Sequence, residues 1–289
     1  MEQRARPEAT LPSANIGTML WHDGCWWWSD AAASALKAWR GKSEPESSRL
    51  PDTLATFAFC RSGKLLLGLD KWLYLAERTP PGALKLARRL PLAVAAVDPA
   101  EARTRINDGC ADRHGNFVLG TANLHPDAPP IGSFFQYSQR FGLRRLALPT
   151  MAAAHGIAFS VDGHSMYFAS GDGSAVLETT YDPERAEVGK IEPFASLGKA
   201  RIGGATVDAA GNIWIALHEE GRRGRLAQFA RDGALLCELP VAASKPARPV
   251  FGGTRLDQLA AGALDGGLHQ FAMAGVQGLP PSLFDDALD

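Results

Sequence analysis

Short apolar runs separated by turns of Asp, Gly and Asn recur along the whole chain. Cys25-Trp26-Trp27-Trp28 follows His22-Asp23-Gly24, and Leu65-Leu66-Leu67 follows Arg61-Ser62-Gly63-Lys64. Phe117-Val118-Leu119 follows Arg113-His114-Gly115-Asn116, and Met166-Tyr167-Phe168 follows Val161-Asp162-Gly163-His164-Ser165. Ile213-Trp214-Ile215 follows Ala210-Gly211-Asn212; a weaker sixth copy runs from Gly253-Thr254-Arg255 into Leu256-Asp257-Gln258-Leu259. Such runs fit strands, and Asp-Gly and Gly-Asn accept the positive φ of tight hairpins. The copies recur about every 40–50 residues, the spacing of propeller blades. Each is too small to bury its own apolar face. The pattern therefore predicts an all-β protein, a closed six-bladed β-propeller. A β-sandwich would also be all-β, but two sheets do not explain six similar units.

Second turns inside the units, such as Gly171-Asp172-Gly173 and Gly221-Arg222-Arg223-Gly224, add further hairpins. Helical signal is thin: Asp30 to Trp39 and Leu84 to Leu90 read as loop, outer strand or a short helix. In Trp26-Trp27-Trp28 alternate side chains point to opposite faces, so most of the run packs blades. Residues 1–12 read as a loose N-terminal arm, 13–289 as a single propeller domain, and Phe284 to Asp289 as a short loose tail.

Gly and Pro number 30 and 19 among 289 residues, an excess that suits many turns. The net charge of −1 leaves no basic excess to neutralise a phosphate backbone, so nucleic acid is not expected as a partner. No uncharged apolar run has the ~18 residues of a membrane helix, and the N-terminus has no signal-peptide core. Cys25, Cys60, Cys110 and Cys237 lie far apart with no Cys-x-x-Cys. They read as separate thiols in a reducing, cytoplasmic setting rather than a zinc site.

Several stretches carry a family resemblance. Thr104-Arg105-Ile106-Asn107-Asp108-Gly109-Cys110-Ala111-Asp112, then Gly115-Asn116 to Gly120-Thr121, is similar to R-x-N-D-G-x-x-D…G-x-x-x-x-G-T. His155-Gly156-Ile157-Ala158-Phe159-Ser160-Val161-Asp162-Gly163 resembles N-G-L-A-F-S-P-D-G, and Gly204-Ala205-Thr206-Val207-Asp208 to Trp214 resembles G-M-A-V-D-x-x-G-N-L-W. Val250-Phe251-Gly252-Gly253 and Gly275 to Pro280 echo two closing motifs. By these the chain resembles the SMP-30/gluconolactonase (regucalcin-like) family of six-bladed propellers, which includes sugar lactonases.

The resemblance implies one divalent cation (Ca, Zn, Mg or Mn) at the end of the central channel, held by a Glu, an Asn and an Asp. Here those positions fall on Gly17, His155 and Gly203. Two oxygen ligands are missing and the third is a nitrogen, so no family metal site is expected. The cofactor is left open. A site of His155, His125 and a carboxylate such as Asp108 stays possible on ligand chemistry, without supporting spacing.

The family's substrate-orienting Arg and Asn match Arg105 and Asn107, and a further polar position falls near His125. Arg105 and His155 are the expected catalytic residues, with Arg105, Asn107 and His125 binding substrate. An Arg grips a carboxylate or an oxyanion, and a His moves protons near neutral pH. Each also has a bland reading: His155 as a structural histidine, His125 as exposed loop, Asp108 as a brace for the turn at Gly109. Three functions follow: a divergent, metal-independent hydrolase of a lactone or related small polar ring or ester; a non-catalytic binder of a sugar acid or other small anion; a scaffold for protein partners. The oligomeric state is not legible.

Overall fold

The computed structural model describes residues 5–11, 15–41, 44–80, 82–87, 92–125 and 128–287. They form six four-stranded sheets. β1 (Ala5–Leu11) precedes the first sheet, which is β2 (Ile16–His22), β3 (Cys25–Asp30), β4 (Ala35–Trp39) and β5 (Glu46–Arg49). The second is β6 (Leu54–Phe59), β7 (Leu65–Leu69), β8 (Trp72–Ala76) and β9 (Leu92–Ala96). The third is β10 (Thr104–Ala111), β11 (Phe117–Asn123), β12 (Phe134–Ser138) and β13 (Gly142–Arg145). The fourth is β14 (Ala158–Phe159), β15 (Ser165–Ala169), β16 (Ala175–Asp182) and β17 (Glu187–Ser196). The fifth is β18 (Arg201–Val207), β19 (Ile213–His218), β20 (Arg225–Phe229) and β21 (Leu235–Pro240). β22 (Pro246–Gly252), β23 (Gln258–Ala263) and β24 (Leu268–Met273) make the sixth together with β1.

Each sheet is one blade. The first strands of neighbouring blades touch one another (β2 with β6 and β22, β10 with β6, β18 with β14 and β22) and so ring a central axis. Six apolar clusters fill the six gaps between adjacent blades. This is the physical reason for closure: a blade has two apolar faces, and only a ring covers both on every blade. The tryptophan run shows the alternation directly. Trp27 packs towards the second blade, and Trp26 and Trp28 towards the sixth. All three are buried, so none is free to meet a ligand. From Asp30 to Trp39 the chain leaves β3, turns over residues 31–34 and forms β4, not a helix. Of Leu84 to Leu90, residues 88–90 lie outside the described residues.

Both chain ends depart from expectation. Within the expected arm, Ala5–Leu11 pairs antiparallel with β24, Arg6 opposite Ala272 and Thr10 opposite His269. Residues 1–4 and 12 lie outside the described residues. Without β1 the outer edge of β24 would carry unpaired backbone groups, and the N-terminus satisfies them. Its sequence, Ala-Arg-Pro-Glu-Ala-Thr-Leu, holds a proline and no aromatic or apolar β-branched residue, so its strand signal is weak. The tail is docked too. Phe284 is fully buried, stacked on Tyr137 with ring centroids 5.5 Å apart, and its N–H donates to the Phe59 carbonyl at 2.8 Å. Arg61 and Ser62 bind Asp285 and Asp286. Phe284→Ala is expected to cost about 3–5 kcal/mol, the usual range for emptying a buried aromatic site, read as a lower urea midpoint.

Among the described residues no helix is long and apolar enough to cross a membrane. No disulfide joins any of the four cysteines. Burial pushes the thiols of Cys25 and Cys110 up to about 11, so they remain protonated and unreactive at neutral pH.

Candidate functional site at the channel mouth

The axial strands share a local irregularity. β2 shifts register between Ile16 and Met19, β6 between Leu54 and Thr56, and β10 between Ile106 and Asp108. β18 shifts between Ile202 and Gly204, and β22 between Pro246 and Pro249. In the fourth blade the chain turns at Gly156, with φ +75°, before the short β14. A bulge leaves one residue out of the ladder and re-aims it. Gly17, Asn107, His155, Gly203 and Arg248 all stand at these breaks, so one end of the axis is built from residues freed from strand pairing.

The floor of this mouth is an ion pair. The Arg248 guanidinium on β22 reaches Asp108 on β10, with Nη2 2.8 and 3.0 Å from the two carboxylate oxygens. Nη1 donates to the Gly109 carbonyl at 3.0 Å and Nη2 also to the Ile157 carbonyl at 3.1 Å. Asp108 accepts in addition from the backbone N–H groups of Gly109 and Gly156, both at 2.8 Å. The pair thus ties the third, fourth and sixth blades across the channel. Burial, the largest single influence, would weaken the Arg248 charge, but the Asp108 carboxylate together with Cys110 more than offsets it and holds the guanidinium above its usual range. Asp108 was expected to brace its own turn; it braces three blades. Arg248 was not singled out from sequence, because Arg-Pro-Val-Phe-Gly-Gly carries no ligand-like pattern.

Asn107 donates through Nδ2 to the Ala154 carbonyl at 3.3 Å, which sets it beside His155. His155 is partly buried. Its Nδ1 lies 3.0 Å from the Ala153 carbonyl and its Nε2 3.3 Å from the Ile202 carbonyl. A neutral imidazole carries one N–H, so only one contact is a hydrogen bond. Nδ1 makes it in one tautomer and Nε2 in the other.

Arg105 and His125 are exposed. Arg105 has no hydrogen-bond or ion-pair partner among the described residues. His125 follows Asn123, whose Oδ1 accepts from the His125 backbone N–H at 2.9 Å. Thus Asn107 and His155 are brought together, Arg105 lies two residues along the same strand towards solvent, and His125 stands on the outer loop of that blade.

A neighbour that sequence reasoning did not flag is His218, at the end of β19. Its Nδ1 is buried without a partner. Burial, with added repulsion from Lys245, His155 and Arg201, holds its ring below the usual 6.5. His22, stacked on Phe59 at 3.9 Å between centroids, is also held down, by burial first, with Asp23 opposing and Arg78 assisting. Both rings bind a proton more readily in the unfolded chain. Their contribution to stability is therefore complete above pH 6.5 and is lost as pH falls from there through their lower folded values. Urea midpoints are expected to fall between pH 7.5 and 5.5, and His22→Phe, which keeps the ring stack, is expected to flatten that slope.

The cation implied by the resemblance does not fit these residues. Gly203 has no side chain, and a Cβ there would stand 2.0 Å from the Pro246 carbonyl oxygen, so its glycine is imposed by the backbone of the next blade. A Cβ at Gly17 would stand 2.7 Å from Ser29 Oγ. Asp108 is taken by Arg248. Among the described residues no group of three or more His, Cys, Asp or Glu is placed to hold a metal ion, the trio of His155, His125 and Asp108 included.

A six-bladed propeller with a polar axial mouth defines the class. Residues 18–261 match the family model described as the SMP-30/gluconolactonase/LRE-like region, and the chain belongs to that family. It is 30% identical over 227 residues to an L-arabinolactonase of Azospirillum brasilense, covering 76% of this chain and 71% of that one. It is 27% identical over 238 residues to a 6-deoxy-6-sulfogluconolactonase of Pseudomonas putida, covering 81% and 77%. A solved luciferin-regenerating enzyme superposes with a TM-score of 0.85 over 95% of this chain and 97% of that one, at 19% identity, a likeness of fold.

Proposed function

We propose that the chain is a lactonase-type hydrolase that opens a sugar lactone or a related small polar cyclic ester at the channel mouth, using its own side chains in place of a divalent cation. Family membership and two relatives that are lactonases by name support the reaction class. The observation that carries the mechanism is the placement of His155 beside Asn107 at the mouth, its Nδ1 3.0 Å from the Ala153 carbonyl and its Nε2 3.3 Å from the Ile202 carbonyl.

Water held at Nε2 attacks the lactone carbonyl carbon while Nε2 takes its proton. Arg105, with no protein partner, faces the carbonyl oxygen as negative charge builds on it. When the ring C–O bond breaks, the imidazolium returns the proton to the departing alkoxide, giving a hydroxy acid. Asn107 positions a substrate hydroxyl through Oδ1, which accepts no protein hydrogen bond among the described residues. His125 lies at the edge, within reach of an extended substituent.

A panel of γ- and δ-lactones of sugar acids, followed by acid release, tests this. Turnover above the spontaneous rate is expected for at least one. The unpaired Arg105 also favours a second reading, a binding protein for a sugar acid. That reading holds instead if sugar acids raise the melting temperature while no lactone is turned over.

A further inference from the structure

Beneath the Asp108–Arg248 pair, on the side away from the mouth, the channel continues as a half-open cavity of about 110 Å³. Its walls are mainly apolar, among them Trp21, Phe57, Ile157 and Phe251. The segment Leu279 to Ser282 covers it, and Arg113 joins it to a shallower depression on the outer face of that segment. Two guanidinium groups line this apolar space. Arg248 is 7% exposed, and its Nε is buried with no partner, although both Nη atoms are satisfied. Arg113 donates from Nη1 to the Pro280 carbonyl and to Ser282 Oγ, each at 3.0 Å, and pairs with no carboxylate among the described residues.

An arginine charge in an apolar setting is costly unless a counter-charge meets it. Desolvation indeed lowers the Arg113 pKa, and the only opposing influence is the Cys110 thiol, itself neutral at pH 7. The Asp108 carboxylate is already shared by Arg248 and backbone amides. What the cavity lacks is one negative charge, and two guanidinium groups line it.

We propose that this lower axial cavity binds a small monovalent anion, a halide or a one- or two-carbon carboxylate, held by Arg113 and the free Nε of Arg248. A volume of about 110 Å³ is enough for chloride, formate or acetate. The site is separate from the channel mouth and does not depend on what the mouth does.

The test is thermal unfolding of the whole protein in sodium chloride, sodium formate and sodium MES at equal ionic strength, MES being too large to enter. Chloride or formate is expected to raise the melting temperature by roughly 5 °C over MES at saturation. The anion effective at lower concentration identifies the preferred class. Arg113→Gln is expected to erase the difference between salts. If that variant does not fold, ³⁵Cl linewidths of the wild-type protein decide: broadening that formate reverses supports the site. One melting temperature in all three salts, an unchanged salt effect in Arg113→Gln, or no ³⁵Cl broadening together with no formate stabilisation overturns it, water alone then filling the cavity.

Discussion

Arg248→Ala is expected to cost about 3–5 kcal/mol of folding stability, a drop in melting temperature on the order of 10 °C. The loss follows from what stays behind. Asp108 keeps its amide donors from Gly109 and Gly156 but loses the cation that compensates its charge. The Gly109 and Ile157 carbonyls lose their donors at the same time. An unpaired carboxylate at a three-blade junction is worse than none, so Asp108→Asn combined with Arg248→Met is expected to recover a good part of the loss. Arg248→Lys is expected to fall between, because an ammonium cannot span a carboxylate and two carbonyls with a planar fork. Urea denaturation of the four proteins checks the series. An Arg248→Ala protein within 1 kcal/mol of wild type would remove the ion pair from any structural role.

His155→Ala is expected to lower kcat on the best lactone about 10²- to 10⁴-fold, the usual worth of a positioned acid–base group, with stability little changed. The same substitution separates the two readings of this residue. A structural histidine would lose stability through the Ala153 and Ile202 carbonyls and leave kcat near wild type. Arg105→Ala is expected to lower kcat/KM without touching the urea midpoint, since the side chain is exposed and unpaired.

The blades were legible because their cause is local. Asp-Gly and Gly-Asn turns flank apolar runs, and the runs alternate as pleated strands must, Trp26 to Trp28 above all. The ends were not legible. β1 is a strand because β24 offers an open edge, a fact about the other end of the chain, and Phe284 is buried because the second and third blades leave a slot for it. The mouth was partly legible. Arg105, Asn107 and His155 stand in motifs that match a pattern, whereas Arg248 and His218 do not; their roles arise where separate blades converge. Gly203 was visible as a missing ligand, but only the 2.0 Å approach of the Pro246 carbonyl explains why nothing larger than glycine stands there.

We propose that lactone hydrolysis at this mouth runs through imidazole and guanidinium groups rather than a bound cation. The most direct measurement is kcat/KM on the best lactone after exhaustive chelation, with metal content confirmed by elemental analysis. A value unchanged from untreated protein is expected. Loss of turnover on chelation, restored by adding back calcium, zinc, magnesium or manganese, would contradict it.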